Sequence, residues 1–305
     1  MAEYLVTGGT SFIASHVVKA LLDLDHFVRT IVRDSSDEEK VRFLWELQGA
    51  KERLKIFEAD LTVEGSFDEA VKGVDGVFHI ASRVSVSLED NDLEDVVNRD
   101  IYGTRNLMSS CEKSRNTVKR IVLTSSSTSV RYSYDATKAS PLNESHWSDL
   151  DYCRSFKIWY GYAKTLAEKE AWIIAAEKNL NLVVVIPTFC IGPILSPKPT
   201  SSPSIFLSIS KGVRGEYPNF RGGFVHIDDV AAAQMLAMED PKASGRIICS
   251  SSSVAHWSEI IEMLRPKYPQ YPFETKCGSE EGRNMPHSMD TTKMMHLMLI
   301  LFKFI

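Results

Sequence analysis

The sequence predicts an α/β fold, a doubly wound parallel sheet with a smaller C-terminal lobe, on three observations. Short β-branched runs alternate with longer segments of helical periodicity through the first two-thirds of the chain. A glycine-rich turn, Thr7-Gly8-Gly9-Thr10-Ser11-Phe12-Ile13-Ala14, joins the first run to the first helix. After Ile186 the alternation loosens, and Gly192 to Gly223 is rich in Pro, Ser and Gly.

Taken in order, Tyr4–Thr7 reads as the first strand, followed by a helix from about Ser11 to Leu24. Phe27–Val32, Leu54–Ala59, Gly76–Ile80, Arg120–Thr124 and Leu182–Ile186 read as further strands. Leu93–Lys113 and Trp159–Lys178 carry apolar residues at helical spacing, and Ser66 with Glu69 reads as a capping box before a helix at Phe67–Lys72. Strands separated by helices of this length imply right-handed βαβ crossovers and a parallel sheet. Beyond the loose stretch, Asp229 to about Met238 predicts a helix, Arg246–Cys249 a strand and Trp257–Leu264 a helix. The expected division is 1–187 for the sheet domain, including the helix at Trp159–Lys178. Residues 188–305 form mainly the lobe, with returning segments packed on the sheet and no flexible linker.

The bulk properties narrow the function. The chain has 305 residues, 44% of them hydrophobic, enough for a substantial core. Its net charge of −5 is spread along the chain, which argues against a nucleic-acid tail or a polybasic membrane patch. Cys111, Cys153, Cys190, Cys249 and Cys277 are scattered, with no zinc or CxxC spacing, as expected of reduced thiols in a cytoplasmic protein. No secretory signal precedes the first strand, and the apolar stretch Leu297 to Phe302 is far shorter than the ~20 residues of a membrane span. The eight histidines show no metal-binding spacing, and no metal is expected.

The glycine-rich turn points to a dinucleotide. Gly8, Ser11 and Ala14 stand three apart: the first permits the tight turn, the second lets backbone approach a pyrophosphate, and the third lets the helix pack on the strand. The helix N-terminus then offers N–H groups to the phosphates, and Gly9, Thr10, Phe12 and Ile13 complete the candidate cradle of a Rossmann sheet. The plain alternative is a structural strand–helix turn. Ser11 is the anomaly, since glycine is usual there, and a positive φ at Ser11 would cost roughly 1 kcal/mol. The second strand ends in Val32-Arg33, with Lys40 following, so a 2′-phosphate is favoured and with it NADPH/NADP+. The competing reading leaves Arg33 as a solvated charge and puts Asp34 on the 2′-OH of NAD. Asp60 and Leu61 are candidates at adenine, although Asp60 also suits a helix cap. Ile80, Ala81 and Ser82 are candidates on the ribose side.

A catalytic pattern follows. Tyr160-Gly161-Tyr162-Ala163-Lys164 places a phenol and an ammonium four residues apart, on one face of a helix. Lys164 is expected to lower the pKa of Tyr160 and to hold the nicotinamide ribose, while Tyr160 donates a proton to a carbonyl oxygen. Tyr162 is no rival, because the residue one turn on is Leu166. Thr124-Ser125-Ser126-Ser127 closes the fifth strand, where ligands bind in such sheets. Ser126 is the chosen substrate-orienting hydroxyl, with Ser125 and Ser127 as near competitors. The plain alternative is an ordinary amphipathic helix. His79 reads as a satisfied core histidine, the pair Asp228-Asp229 as a helix cap beside His226, and His146 with Trp147 as structural packing.

These residues also resemble a known family, the extended short-chain reductases that contain dihydroflavonol reductase and cinnamoyl-CoA reductase. The matching runs include Val6-Thr7-Gly8-Gly9, Asp37-Glu38-Glu39-Lys40, Val122-Leu123-Thr124-Ser125-Ser126, Asn143-Glu144-Ser145-His146-Trp147-Ser148-Asp149, Trp159-Tyr160-Gly161-Tyr162-Ala163-Lys164 and Gly245-Arg246-Ile247-Ile248-Cys249-Ser250. Leu61-Thr62-Val63-Glu64-Gly65-Ser66-Phe67-Asp68-Glu69-Ala70 and Gly215-Glu216-Tyr217-Pro218-Asn219-Phe220 resemble the plant branch that reduces a ketone of tetraketide α-pyrones for the pollen wall.

The resemblance implies an NADP-dependent reductase with Ser126, Tyr160 and Lys164 as catalytic residues and Arg33 and Lys40 at the 2′-phosphate. It puts Pro187, Thr188, Phe189 and Cys190 beside the nicotinamide, in a smaller C-terminal substrate lobe. It further implies a hydrophobic small-molecule carbonyl substrate, with neither nucleic acid nor a membrane span, and leaves room for association with polyketide-pathway enzymes. A dihydroflavonol or a cinnamoyl-CoA thioester is the alternative substrate. Three departures stand out. Ser11 replaces the middle glycine, Arg83 follows Ala81-Ser82 where proline is usual, and the chain after Lys293 reads as a truncated or altered C-terminus. Ser11 and the altered C-terminus make a cofactor-binding pseudoenzyme or regulatory partner the reading from another class.

Overall fold

A computed structural model describes residues 1–82, 93–136, 140–252, 254–279 and 288–301, with the side chains of 93–96 and 298–301 outside the description. Arg83 lies outside the described residues. The chain runs β1 (Glu3–Thr7), α1 (Phe12–Asp23), β2 (Phe27–Val32), α2 (Glu38–Trp45), α3 (Ala50–Arg53), β3 (Leu54–Glu58), α4 (Asp68–Val71) and β4 (Gly76–His79). It continues through α5 (Leu93–Lys113), β5 (Arg120–Thr124), α6 (Leu150–Ser155), α7 (Trp159–Lys178), β6 (Leu182–Pro187) and β7 (Phe189–Ile191). The remainder is α8 (Ser201–Ser210), β8 (Arg221–His226), α9 (Ile227–Glu239), β9 (Gly245–Cys249), β10 (Val254–His256), α10 (Trp257–Leu264) and α11 (Thr292–Leu301).

Among the described residues, seven strands pair in the order β3-β2-β1-β4-β5-β6-β9, all parallel. That order reverses direction at β1, so a crevice opens over the carboxyl ends of β1 and β4, where Rossmann sheets bind ligands. The inner strands are buried on both faces while the edge strand β3 is partly exposed, and each face of the sheet has its own core. Phe12, Val17, Val18, Leu21 and Leu22 of α1 pack with Val230, Leu236 and Met238 of α9 on one side. Leu107, Met108 and Cys111 of α5 pack with Ala171 and Ala175 of α7 on the other. No described helix is long and apolar enough to cross a membrane.

The smaller lobe holds a second sheet, β10-β8-β7, built on an aromatic cluster. Trp257 is 1% exposed and meets Phe189, Phe206, Phe220 and Phe224 edge-on or tilted. The chain returns from this lobe twice: first through α9, which packs onto α1, and β9, the seventh strand, and again through α11, which packs on β9 and α9. Met294 and Leu297 of α11 are buried in the α1/α9 core.

Two local expectations are corrected. Ser66 forms no capping box; its hydroxyl donates to Asp60 O at 2.6 Å, and α4 starts two residues later with Phe67 at its N-cap. The Asp pair does not cap α9 either. His226 is the cap, its Nδ1 accepting from Asp228 N at 3.3 Å, while Asp228 and Asp229 sit in the first turn and favour the helix dipole.

Candidate active site

The glycine-rich turn has the geometry of an anion cradle. Gly8 turns the chain with φ +75°, a conformation that a side chain would strain, and Ser11 N closes the turn onto Gly8 O at 2.8 Å. Gly9 lies against β2, where a Cβ would stand 2.1 Å from the Thr30 hydroxyl. Ser11 sits at the N-cap of α1 with φ −83°, an ordinary extended conformation, so the serine in place of glycine is unstrained. Its side chain makes no cap hydrogen bond, which leaves the first N–H groups of α1 available to a phosphate.

A cavity of about 890 Å³ opens over this turn and runs along the carboxyl ends of the strands. Gly8, Thr10, Ser11 and Ile13 line one part of it, with Arg33, Asp60, Leu61, Ile80, Ala81 and Ser82. Gly9 and Phe12 are not in this wall: Gly9 faces Thr30, and the Phe12 side chain is 2% exposed within the core, leaving only its backbone to serve a ligand. Lys40 is not in the wall either, because its ammonium pairs with Asp37, the residue that caps α2. Arg33 is exposed at the mouth. Asp34, the rival for a ribose hydroxyl, turns its Oδ1 onto Ser36 N and Oγ at 2.9 and 2.6 Å, and those bonds hold its carboxyl below the usual range. Asp60 caps no helix: its Oδ1 accepts from Thr62 N and Oγ1 at 2.7 and 2.6 Å and shapes the turn that presents Leu61.

The middle of the cavity holds the hydroxyls. β5 delivers Thr124, Ser125 and Ser126 to its carboxyl edge, and the first turn of α7 delivers Tyr160 and Lys164. Ser125 is committed elsewhere, donating to Glu168 Oε2 at 2.6 Å, and Ser127 is buried in a short helical turn. Ser126 is the serine whose side chain hydrogen-bonds Tyr160, while its oxygen also accepts from Thr128 N at 3.2 Å. Burial pushes the Tyr160 hydroxyl up, the Ser126 bond opposes this, and Asp100, Cys190 and Tyr132 add to the rise. The lowering expected from Lys164 does not outweigh burial. The Lys164 ammonium donates instead to Thr124 O at 3.0 Å, and burial depresses its pKa against the pull of Asp100 and Glu168. A raised phenol pKa keeps the proton on Tyr160, the form from which a proton donor starts.

Sequence reasoning missed the support behind these groups. Glu168, four residues after Lys164 on α7, is 1% exposed and pairs with Arg246 of β9, Oε1 to Nε 2.6 Å. Ser125 and Ser129 both donate to its other oxygen, and the Arg246 guanidinium carbon lies 3.7 Å from the Trp147 ring centroid. The spacing Lys164-x-x-x-Glu168 was a visible signal on the same helix face. Arg246 was not, being 78 residues away. Pro187, Thr188, Phe189 and Cys190 line the cavity next to this centre, and burial pushes the Cys190 thiol up to about 12. The far end, formed by Arg131, Tyr132, Ile205, Arg214, Phe220 and Trp257, was also unforeseen.

A turn that clears a pyrophosphate, an uncapped helix start, a cation at the end of β2 and a tyrosine–serine–lysine group share one cavity. These residues fit a nicotinamide dinucleotide. The chain matches the family described as NAD dependent epimerase/dehydratase over residues 4–249. It is 68% identical to tetraketide α-pyrone reductase 2 of Arabidopsis thaliana over 297 residues, 97% of this chain and 92% of that one. It is 40% identical to the cinnamoyl-CoA reductase CAD2 of Medicago truncatula over 277 residues, 90% of this chain and 84% of that one. Among solved structures, vestitone reductase from alfalfa superposes with a TM-score of 0.80 at 33% identity, covering 97% of this chain and 92% of the other.

Proposed function

Because this chain belongs to the NAD dependent epimerase/dehydratase family, as a member of its plant carbonyl-reductase group, we propose that it reduces a ketone of a tetraketide α-pyrone to an alcohol with NADPH. The observation that carries the reading is the Ser126–Tyr160 hydrogen bond beside buried Lys164, in the same cavity as the Gly8–Ser11 turn. NADPH, when bound, supplies the hydride. Ser126 and Tyr160 hold the substrate carbonyl oxygen between two hydroxyls, and Tyr160 gives it a proton. Lys164, anchored on Thr124 O, holds positive charge beside the phenol as it loses that proton. Arg33 at the cavity mouth is the residue that selects a 2′-phosphate, with Asp34 turned away onto Ser36.

The substrate name comes from the relative at 68% identity, and the apolar far wall of Ile205, Phe220 and Trp257 suits an alkyl-bearing ring. In this proposal the chemistry belongs to residues before about Pro187 and substrate choice mainly to the lobe after it. A cytoplasmic setting goes with it, since the five cysteines are free thiols and four of them are buried.

The test is a fluorescence titration with NADPH against NADH, followed by turnover of ketone-bearing α-pyrones. Tighter binding of NADPH and turnover of the pyrone are expected; absence of NADPH binding defeats the proposal. Tyr160→Phe should lower kcat by roughly 10²–10⁴-fold with little change in NADPH affinity. Full activity in that variant would remove Tyr160 from its role.

A further inference from the structure

Among the described residues, Arg131 has no counter-charge. It follows the serine turn at the end of β5, is 6% exposed and lines the cavity. A guanidinium carries five N–H donors, yet among the described residues its one protein acceptor is Arg221 O, reached by Nη2 at 3.2 Å. Its Nε is sequestered without a partner, and no carboxylate of the described residues pairs with it. Two aromatic faces hold it in place, with the guanidinium carbon 5.3 Å from the Tyr132 ring centroid and 4.8 Å from that of Phe220. Tyr132 in turn packs against Gly161, the neighbour of Tyr160. A rigid, desolvated cation therefore stands on the substrate side of the reacting centre.

The rest of the wall points the same way. Although the whole chain is net negative, Asp60 is the only carboxylate in the described cavity wall, and it lies with Leu61 at the cofactor end. Lys157 and Arg214 line the same cavity as Arg131. Burying an unpaired charge is costly unless a partner of opposite sign joins it. The cofactor phosphates are met by the Gly8–Ser11 turn and Arg33, so the partner for Arg131 has to arrive with the substrate.

Resting on the reductase reading above, we infer that Arg131 is a specificity residue that binds an anionic oxygen of the substrate, the ionised enol of a β-keto lactone. A pyrone closed from a diketo chain carries an enolic hydroxyl conjugated through the ring to the lactone carbonyl. It ionises as a vinylogous carboxylic acid, and the negative charge spreads over two oxygens that a guanidinium edge can meet. The ketone to be reduced lies on the side chain of the ring, so holding the ring by its anion fixes where that ketone meets Tyr160.

The test compares a 4-hydroxy-2-pyrone bearing a side-chain ketone with its 4-O-methyl ether, a neutral compound of nearly the same shape, on wild type, Arg131→Gln and Arg131→Lys. Wild type should favour the acidic compound in kcat/KM by about tenfold to hundredfold, mostly through KM, the range a charge-assisted hydrogen bond supports. Arg131→Gln should erase that preference and Arg131→Lys keep part of it, with NADPH affinity unchanged in both as the sign of an intact fold. Calorimetry of the two pyrones with the NADP+-loaded protein reads the same ratio without turnover. An equal preference in wild type and Arg131→Gln overturns the inference, as does a wild type that favours the ether. Arg131-dependent displacement of the acidic pyrone by coenzyme A also overturns it, assigning the cation to thioester phosphates. Turnover of both pyrones without preference leaves the reductase reading standing; turnover of neither, with the binding preference intact, removes that reading and keeps the anion site.

Discussion

Acidification should destabilise this protein through His79. The ring is 2% exposed at the end of β4, and its Nδ1 lies 3.0 Å from Thr7 Oγ1. That hydroxyl already accepts from Ile80 N and Ala81 N, at 3.0 and 2.9 Å, so its own proton is directed at His79 Nδ1. Nδ1 is then an acceptor, and protonating it would set two donors against each other. Burial first, and the charge of Lys164 second, lower the His79 pKa from 6.5 to about 3. The unfolded chain therefore binds one proton more than the folded chain between these limits, and stability falls as pH falls through that window. The slope is about 1.4 kcal/mol per pH unit, or about 2.5 kcal/mol between about pH 7.5 and about pH 4.5. Urea unfolding of wild type and His79→Asn at both pH values measures it, since the amide oxygen can replace Nδ1 as acceptor without titrating. Carboxylates with depressed pKa, such as Asp68 and Asp75, lose their contribution at lower pH and cancel between the two proteins. Equal losses in both would refute the assignment.

Gly9→Ala should cost about 1–3 kcal/mol and weaken NADPH binding, because the new methyl meets the Thr30 hydroxyl at 2.1 Å; thermal unfolding with a Thr30→Ala rescue checks it, and no rescue would implicate another contact. Glu168→Gln should cost about 3–5 kcal/mol by leaving the buried Arg246 charge unpaired. Combining Glu168→Met with Arg246→Met should cost less than the sum of the single losses, and strict additivity in denaturant titrations would contradict the coupling.

Much of the sheet was legible because its inner strands are buried on both faces and read as apolar runs. Phe27–Val32 and Arg120–Thr124 fall at their expected bounds, as do the helices Leu93–Lys113, Trp159–Lys178 and Trp257–Leu264. Errors lay where one polar side chain had several partners within reach. Ser66 chose the Asp60 carbonyl over its own helix, and His226 took the cap expected of an aspartate. The turn and the Tyr160–Lys164 spacing were legible because each is local. Arg246 and Phe220 come to the cavity and its support from far along the chain, and nothing local marks where such residues land.

The substrate lobe grows from two adjacent points. Pro187 and Cys249 are register partners on β6 and β9, and Thr188 N bonds Cys249 O at 3.0 Å where both strands leave the sheet. The segments that leave there, one entering β7 with Phe189 and the other leading through β10 to Trp257, thus start from one shared root. Insertions and substitutions farther out can reshape what enters while the root stays put. Such a layout separates selecting a molecule from transforming it, and lets descent alter the first while conserving the second.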